Sequence, residues 1–441
     1  MDRQKAEVSH QTKPFRNLVL ATCIFRINQW NYSPILFSFI PASHIMKTNA
    51  CIIAILMVAS SLIQATPLSE AQVQEKGWTI PMENNPHFRR NATMQSLRAW
   101  RKFNKLASGH RIGRVNVALT LPFIDEGHDY EYYASVQVGT PPRTFKLDFD
   151  TGSADLWFPY NMCKVCKGKT IYNPQKSSSY KKDGRPWSIR YGDGSTSAGI
   201  LGIDTVYLGA LKIMKQTIDM ANVISNGFQG DVIDGLLGLA FNSITTVKGI
   251  NTPFDNLISQ KLIDRPVFGV YLGKFADGGG GAYTFGGYDK SKIGGNLTTV
   301  PVDKSQGFWG ITVDNLSVGN KSVAKSFQGI IDTGTTLVLL PNDMAAAVAK
   351  RYGATDNYDG SYTISCDSSK LPNLKFSIGG ASFKVPGPDL VFEKNPDDTC
   401  TAGFGYSSLN FAILGDVFIK NNYVVFNQQV PQVQIAPLAG L

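Results

Sequence analysis

The sequence predicts an all-β protein made of two homologous lobes, and three observations carry that reading. With 42 Gly and 22 Pro against 17% charged residues, the composition is that of many short strands joined by tight turns. A chain of 441 residues exceeds one ordinary core. An apolar run that ends in Asp-Thr-Gly occurs twice, about 180 residues apart.

The N-terminal portion reads as a leader. Residues 1–115 hold 15 Lys and Arg against 5 Asp and Glu, so they carry +10 while the remainder carries −1. A charge of +9 spread over the whole chain would suggest a nucleic-acid or membrane partner. Confined to one end, with no aromatic-interleaved basic stripe beyond residue 116, it argues against nucleic acid. Met46 opens a stretch with Lys47, an apolar run from Cys51 to Ile63 and the small Ala65, the three-part form of a secretory signal peptide. The run is too short for a hydrocarbon core that needs about 20 residues. Residues 46–65 are therefore expected to be a cleaved signal, with Met46 the initiator and 1–45 an upstream extension. The chain is expected to be secreted and extracellular.

Cysteine use agrees with export. Beyond Cys23 and Cys51 there are four, Cys163, Cys166, Cys366 and Cys400. Four cysteines allow three pairings, and sequence neighbourhood favours Cys163 with Cys166 and Cys366 with Cys400. A CxxC is also half of a zinc site or a redox motif. The second CxxC or His pair that zinc wants is missing, and no thioredoxin-like βαβ pattern surrounds it.

The duplication carries the chemistry. Tyr130 to Leu156 reads as two β runs around the turn Gly139-Thr140-Pro141-Pro142. The second run alternates Phe145, Leu147 and Phe149 with Lys146, Asp148 and Asp150, giving one apolar face and one that bears carboxylates. It ends at Asp150-Thr151-Gly152-Ser153, and Phe327 to Leu340 repeats the pattern at Asp332-Thr333-Gly334-Thr335. One Asp-Thr-Gly is easily a turn, since Asp and Gly are common turn residues. Here each copy is followed by two apolar residues and Gly: Leu236-Leu237-Gly238 ends 88 residues after Asp150, and Ile413-Leu414-Gly415 ends 83 residues after Asp332. Such a repeat is far too long for a solenoid and reads as two lobes facing one another.

Two strand-end carboxylates from facing lobes suggest a pair that shares one proton, because neighbouring carboxylates cannot both ionise cheaply. The ionised member takes a proton from a bound water and the protonated member donates to a carbonyl, with no covalent intermediate. Counting histidines excludes the rival protease chemistries. Of His10, His44, His87, His110 and His128, only the last lies beyond residue 116. A Ser-His or Cys-His relay and an HExxH zinc site all need histidine in the body of the enzyme.

With both Asp-Thr-Gly motifs, both apolar-apolar-Gly segments and Tyr191-Gly192-Asp193-Gly194-Ser195, the chain resembles the pepsin-like aspartic proteases, and among them the secreted fungal enzymes. The resemblance runs from about residue 80 to the C-terminus and includes RPVFGVYLGK, FGGYD, WGITVD and KNNYVVFNQ. The dyad of that family is itself the standard illustration of a shared proton. The resemblance implies a bilobal pepsin-like fold, two β-barrel-like lobes with a catalytic cleft between them, covered by a hairpin flap. It divides the chain into a propeptide at 66–115, an N-terminal lobe with the flap at 116–295 and a C-terminal lobe at 296–441.

It also implies roles. Asp150 and Asp332 become the catalytic pair, Ser153 and Thr335 the hydroxyls on their outer oxygens, and Thr151 and Thr333 the residues that lock the two loops. Gly152 and Gly334 allow backbone N–H groups to approach the carboxylates. Tyr191, Gly192 and Asp193 belong to the flap, Trp157 is the partner of Tyr191, and Asp148 and Leu237 join the substrate-binding surface. Asp193 is expected to help admit lysine before the cut bond, although Asp-Gly is also a favoured turn pair.

In the propeptide, Met94, Leu97, Trp100, Phe103 and Leu106 recur every three residues between Arg98, Arg101, Lys102 and Lys105, as in an amphipathic basic helix. Asn296, Asn315 and Asn320 head sequons, which permit glycosylation. The expected partners are protein and peptide substrates, with no nucleic acid, no cofactor, no metal and no membrane once the signal is removed. The expected state is a monomer. An inactive binding protein of the same fold would damage an Asp, a supporting hydroxyl or the flap Tyr, and all are present. A lipid-anchored form needs an apolar C-terminal tail, whereas the chain ends QVQIAPLAGL.

Overall fold

The computed structural model describes residues 78–84, 131–191, 194–277 and 279–440. The expected signal, the basic helix around Trp100, and flap residues Gly192 and Asp193 lie outside the described residues. Those described form part of one compact unit, Leu68–Leu441.

Strand follows strand, as the Gly- and Pro-rich composition requires. The first half of the chain forms β1 (Trp78–Asn84), β2 (Tyr132–Val138), β3 (Arg143–Asp150), β4 (Leu156–Pro159), β5 (Lys181–Arg190), β6 (Thr196–Leu208), β7 (Leu211–Ile224), β8 (Gly235–Gly238), β9 (Val267–Leu272) and β10 (Gly281–Phe285). After these come β11 (Thr298–Pro301), β12 (Gly310–Val318), β13 (Lys321–Ile331), β14 (Val338–Pro341), β15 (Thr355–Asp356), β16 (Ser361–Ile364) and β17 (Leu374–Ile378). The chain closes with β18 (Ala381–Val385), β19 (Val391–Lys394), β20 (Cys400–Ser407), β21 (Ala412–Leu414), β22 (Asn422–Asn427) and β23 (Gln432–Pro437). The longest described helix, Asn342–Tyr352, is stopped by Gly353 in the left-handed conformation at φ 65°. Among the described residues, no helix is long and apolar enough to cross a membrane.

Two sheets result. One has 13 strands in the order β11-β23-β22-β9-β10-β1-β2-β3-β8-β4-β7-β6-β5. The other has ten, in the order β15-β16-β20-β14-β21-β13-β12-β17-β18 with β19 on β20. The last two strands of the chain thus return to the first sheet, where β22 pairs with β9. One apolar cluster runs through both sheets, from Phe145 and Phe149 to Trp309, Leu339 and Phe426.

The duplication is visible in the pairing. In the first sheet β3 runs parallel to β8, β8 antiparallel to β4, and β4 parallel to β7. In the second, β13 runs parallel to β21, β21 antiparallel to β14, and β14 parallel to β20. The strands that deliver the two aspartates also turn alike. Gly139 follows Val138 at φ 92°, and Gly319 follows Val318 at φ 58°, both in the left-handed region that favours glycine.

β1 comes from the expected propeptide, yet it lies inside the first sheet. Residues Trp78 to Met82 pair with β10, and Glu83 and Asn84 pair with β2. Ile80 and Met82 point into the core while Thr79, Pro81 and Glu83 stay exposed, the alternation of a half-buried strand. The Tyr133 hydroxyl donates to Glu83 Oε2 at 2.8 Å, and burial together with that carboxylate pushes the phenol up to about 12.

Candidate active site

Asp150 and Asp332 stand at the ends of matching strands, each beside the glycine of an apolar-apolar-Gly segment. Asp150 lies against Gly238 across β3 and β8, and Ile331 against Leu414 across β13 and β21. Glycine is needed in both segments because the Asp-Thr-Gly loops cross over them. A Cβ on Gly238 would come within 2.5 Å of the Ala154 backbone, and one on Gly415 within 2.2 Å of the Thr335 carbonyl oxygen.

Both carboxyl groups are buried, and each is held twice by its own loop. The Gly152 N–H donates to Asp150 Oδ1 at 2.7 Å and Ser153 Oγ to Asp150 Oδ2 at 2.5 Å. The Gly334 N–H donates to Asp332 Oδ1 at 3.1 Å and Thr335 Oγ1 to Asp332 Oδ2 at 2.7 Å. Hydrogen bonds of this kind support a carboxylate charge in a closed interior.

The two loops are bolted together by their threonines. The Thr151 N–H donates to Thr333 Oγ1 and the Thr333 N–H to Thr151 Oγ1, each at 3.0 Å. The hydroxyls donate onward, Thr151 to the Ile331 carbonyl at 3.0 Å and Thr333 to the Phe149 carbonyl at 2.6 Å. The arrangement has the symmetry of the repeat. It brings the aspartates together: a Cβ on Gly334 would stand 2.3 Å from Asp150 Oδ1. Nothing but hydrogen fits between the Asp332 loop and the Asp150 carboxyl.

Residues 131–438 match the family model described as eukaryotic aspartyl protease. The chain belongs to the eukaryotic aspartyl proteases. Rhizopuspepsin-2 of Rhizopus niveus is 54% identical over 375 residues, covering 84% of this chain and 95% of that relative. Syncephapepsin of Syncephalastrum racemosum is 50% identical over 398 residues, 89% of this chain and 99% of its own length. Pepsin A of the bat Rhinolophus ferrumequinum is 34% identical over 392 residues, 86% of this chain and 99% of its own. The protein is a pepsin-like aspartic endopeptidase, a hydrolase near in sequence to the rhizopuspepsins.

In this aspartyl protease the Trp157 N–H donates to the Tyr191 hydroxyl at 2.6 Å. Tyr191 is buried, and burial first, then the nearby Asp150 charge, hold its phenol well above the usual value. A neutral phenol that already accepts from an indole keeps its own proton for donation. Asp148 is also buried, beside Tyr133 and Leu236 in register, so the carboxylate-bearing face of β3 is enclosed rather than solvated. Leu237, expected on the substrate-binding surface, has no exposed surface and lies opposite Phe149 in the main cluster. It therefore backs the Asp150 strand from behind. Cys163 is bonded to Cys166 and Cys366 to Cys400. Asn296 and Asn320 are exposed, whereas Asn315 is half-buried within β12 and accepts from the Ser322 hydroxyl.

Three contributors escaped the sequence reading. The Phe228 ring meets Trp157 edge-on at 4.9 Å and Tyr191 at 5.5 Å, completing an aromatic group with them. The Tyr283 hydroxyl donates to the Phe149 carbonyl at 3.0 Å, the acceptor that Thr333 also uses. Asp155 and Asp219 form a second buried acidic pair. Only Asp155, five residues beyond Asp150, carried a signal in its spacing; the other contacts arise between strands remote in sequence.

Proposed function

We propose that the protein is a secreted, acid-acting endopeptidase made as a precursor, and that Asp150 and Asp332 activate the water that attacks the peptide bond. One carboxylate takes the water's proton while the other, protonated, donates to the scissile carbonyl oxygen. The observation that carries this reading is the reciprocal threonine lock, which holds two buried carboxyl groups in equivalent loops with two donors each. Ser153 and Thr335 fix the outer oxygens, so the inner ones share the proton. The Tyr191 hydroxyl, oriented by Trp157, stands ready to close over the substrate. The cleft takes large apolar side chains on both sides of the cut bond and also lysine before it. Residues 66–115 act as the propeptide.

The reading is tested by Asp150→Asn and Asp332→Asn. Each is expected to abolish peptide hydrolysis while leaving secretion and fold intact, because a shared-proton pair fails when one member cannot ionise. A statine-type tetrahedral mimic should block the wild-type enzyme. Chelators and serine reagents should leave it untouched, and inhibition by a chelator alone would overturn the assignment.

A further inference from the structure

Next to Trp157 lies a pair of carboxyl groups that the hydrolysis does not use. Asp155 immediately precedes β4, and Asp219 sits in β7, directly opposite Trp157 in the parallel register. They are 1% and 0% exposed, and their carboxyl groups lie near enough to hydrogen-bond once one of them carries a proton.

The two are supported unequally. Asp155 Oδ1 accepts from the Thr246 N–H at 3.0 Å and from Thr246 Oγ1 at 2.9 Å. No N–H or hydroxyl donor reaches either oxygen of Asp219. A carboxylate closed away from water without donors is not sustained in a protein interior; the group keeps its proton instead. The proton therefore sits on Asp219 and is donated to Asp155, whose charge the Thr246 donors hold.

The charged groups around the pair leave that assignment in place. Lys248, beyond Thr246, favours a charge on Asp155. From β5, Arg185 favours a charge on Asp219 and Asp183 opposes it, and these two are paired with each other at 2.8 Å. On the flap side, the Asp155 charge helps keep the Tyr191 phenol neutral.

We propose that Asp155 and Asp219 are a proton-sharing positioning pair: the single proton between them holds β4 against β7, keeping the Trp157 N–H on the Tyr191 hydroxyl. Losing that proton puts two charges in one closed site and frees the anchor of the flap tyrosine.

The sign of the pH effect follows. Burial, then the Asp155 charge, hold the Asp219 carboxyl well above the usual carboxylate range. The contribution to stability is complete below the unfolded value of about 3.9 and is lost as pH rises through the folded one, because the native state binds more protons over that interval.

The test compares wild type with Asp219→Asn, in which a fixed N–H donor replaces the shared proton. Scanning calorimetry from about pH 3 to pH 7 should give a stability that falls with pH less steeply in the variant, by about one proton. In the same series KM for a peptide substrate should rise with pH in the wild type and stay flat in Asp219→Asn, with kcat following the same pH profile in both. The KM arm rests on the protease reading above and the calorimetric arm does not, so the two fail separately. Equal stability slopes, or KM values that climb together, overturn the proposal. Should Asp219→Asn not fold, the infrared spectrum of the Asp150→Asn protein at about pH 6 decides, since its single active-site carboxylate has no partner with which to share a proton. The carbonyl stretch of a protonated carboxyl group is expected to persist there, and its absence overturns the pair.

Discussion

Thr151 and Thr333 donate to each other across 182 residues of chain, each backbone N–H reaching the other's Oγ1. Thr333→Val keeps the shape of the side chain but leaves the Thr151 N–H without its acceptor, at about 1–3 kcal/mol for a buried group left unpaired. The expected outcome is a Tm lower by roughly 2–4 °C per kcal/mol, with kcat reduced at least about tenfold, an effect that needs only ~1.4 kcal/mol. Thr333→Ser retains the hydroxyl and should behave nearly as wild type. Equal kcat for the Val and Ser variants would show that the lock does not set the carboxyl geometry.

Specificity is expected to depend on Asp193, two residues after Tyr191 in the proposed flap. A carboxylate about 4 Å from an ammonium gains up to roughly 4 kcal/mol at an effective dielectric near 20, less desolvation and the protonation that acid pH brings. A tenfold preference needs only about 1.4 kcal/mol. Matched peptides with Lys or Phe before the scissile bond, compared by kcat/KM in wild type and Asp193→Ser, measure this. The Lys substrate should suffer much more than the Phe one. An unchanged ratio would leave Asp193 as a turn residue only.

Maturation is expected to be triggered by acid and to be at least partly self-catalysed. The proposed propeptide, residues 66–115, holds 9 Lys and Arg against 3 Glu, so attraction to a carboxylate-lined cleft is expected at neutral pH. Protonating those carboxylates removes its partners and the segment loosens. The Asp150→Asn precursor, purified and acidified alone, should stay uncut. Conversion at the wild-type rate without added protease would exclude self-cleavage.

The two lobes and the aspartate pair were legible because a strand, an Asp-Thr-Gly loop and a close-packed glycine recur in one order, and each step has a local cause. Gly238 and Gly415 record where the loops cross. What stayed hidden depends on strands that meet from far apart. In Gln216-Thr217-Ile218-Asp219-Met220 alternation assigns Asp219 to a polar face, but β4 pairs alongside and encloses it. On β3 the same rule finds a carboxylate face without revealing that Asp148 and Asp150 are both buried. Strand β1 was unreadable for another reason. Pro81 argues against a central strand, yet it is accommodated opposite Ala282.

Strand β1 bears on the proposed maturation, because it belongs to the proposed propeptide and lies within the first sheet. Cutting the chain near Asn116 would separate β1 covalently from a sheet in which it separates β10 from β2. Its departure would leave two raw hydrogen-bonding edges in the middle of the fold, the kind that recruits strands from other molecules. Maturation on this view is a substitution within the sheet as much as an uncovering of the cleft. In sequence, Val117, Leu119 and Leu121 alternate with small or polar residues at the spacing that Ile80 and Met82 show in β1.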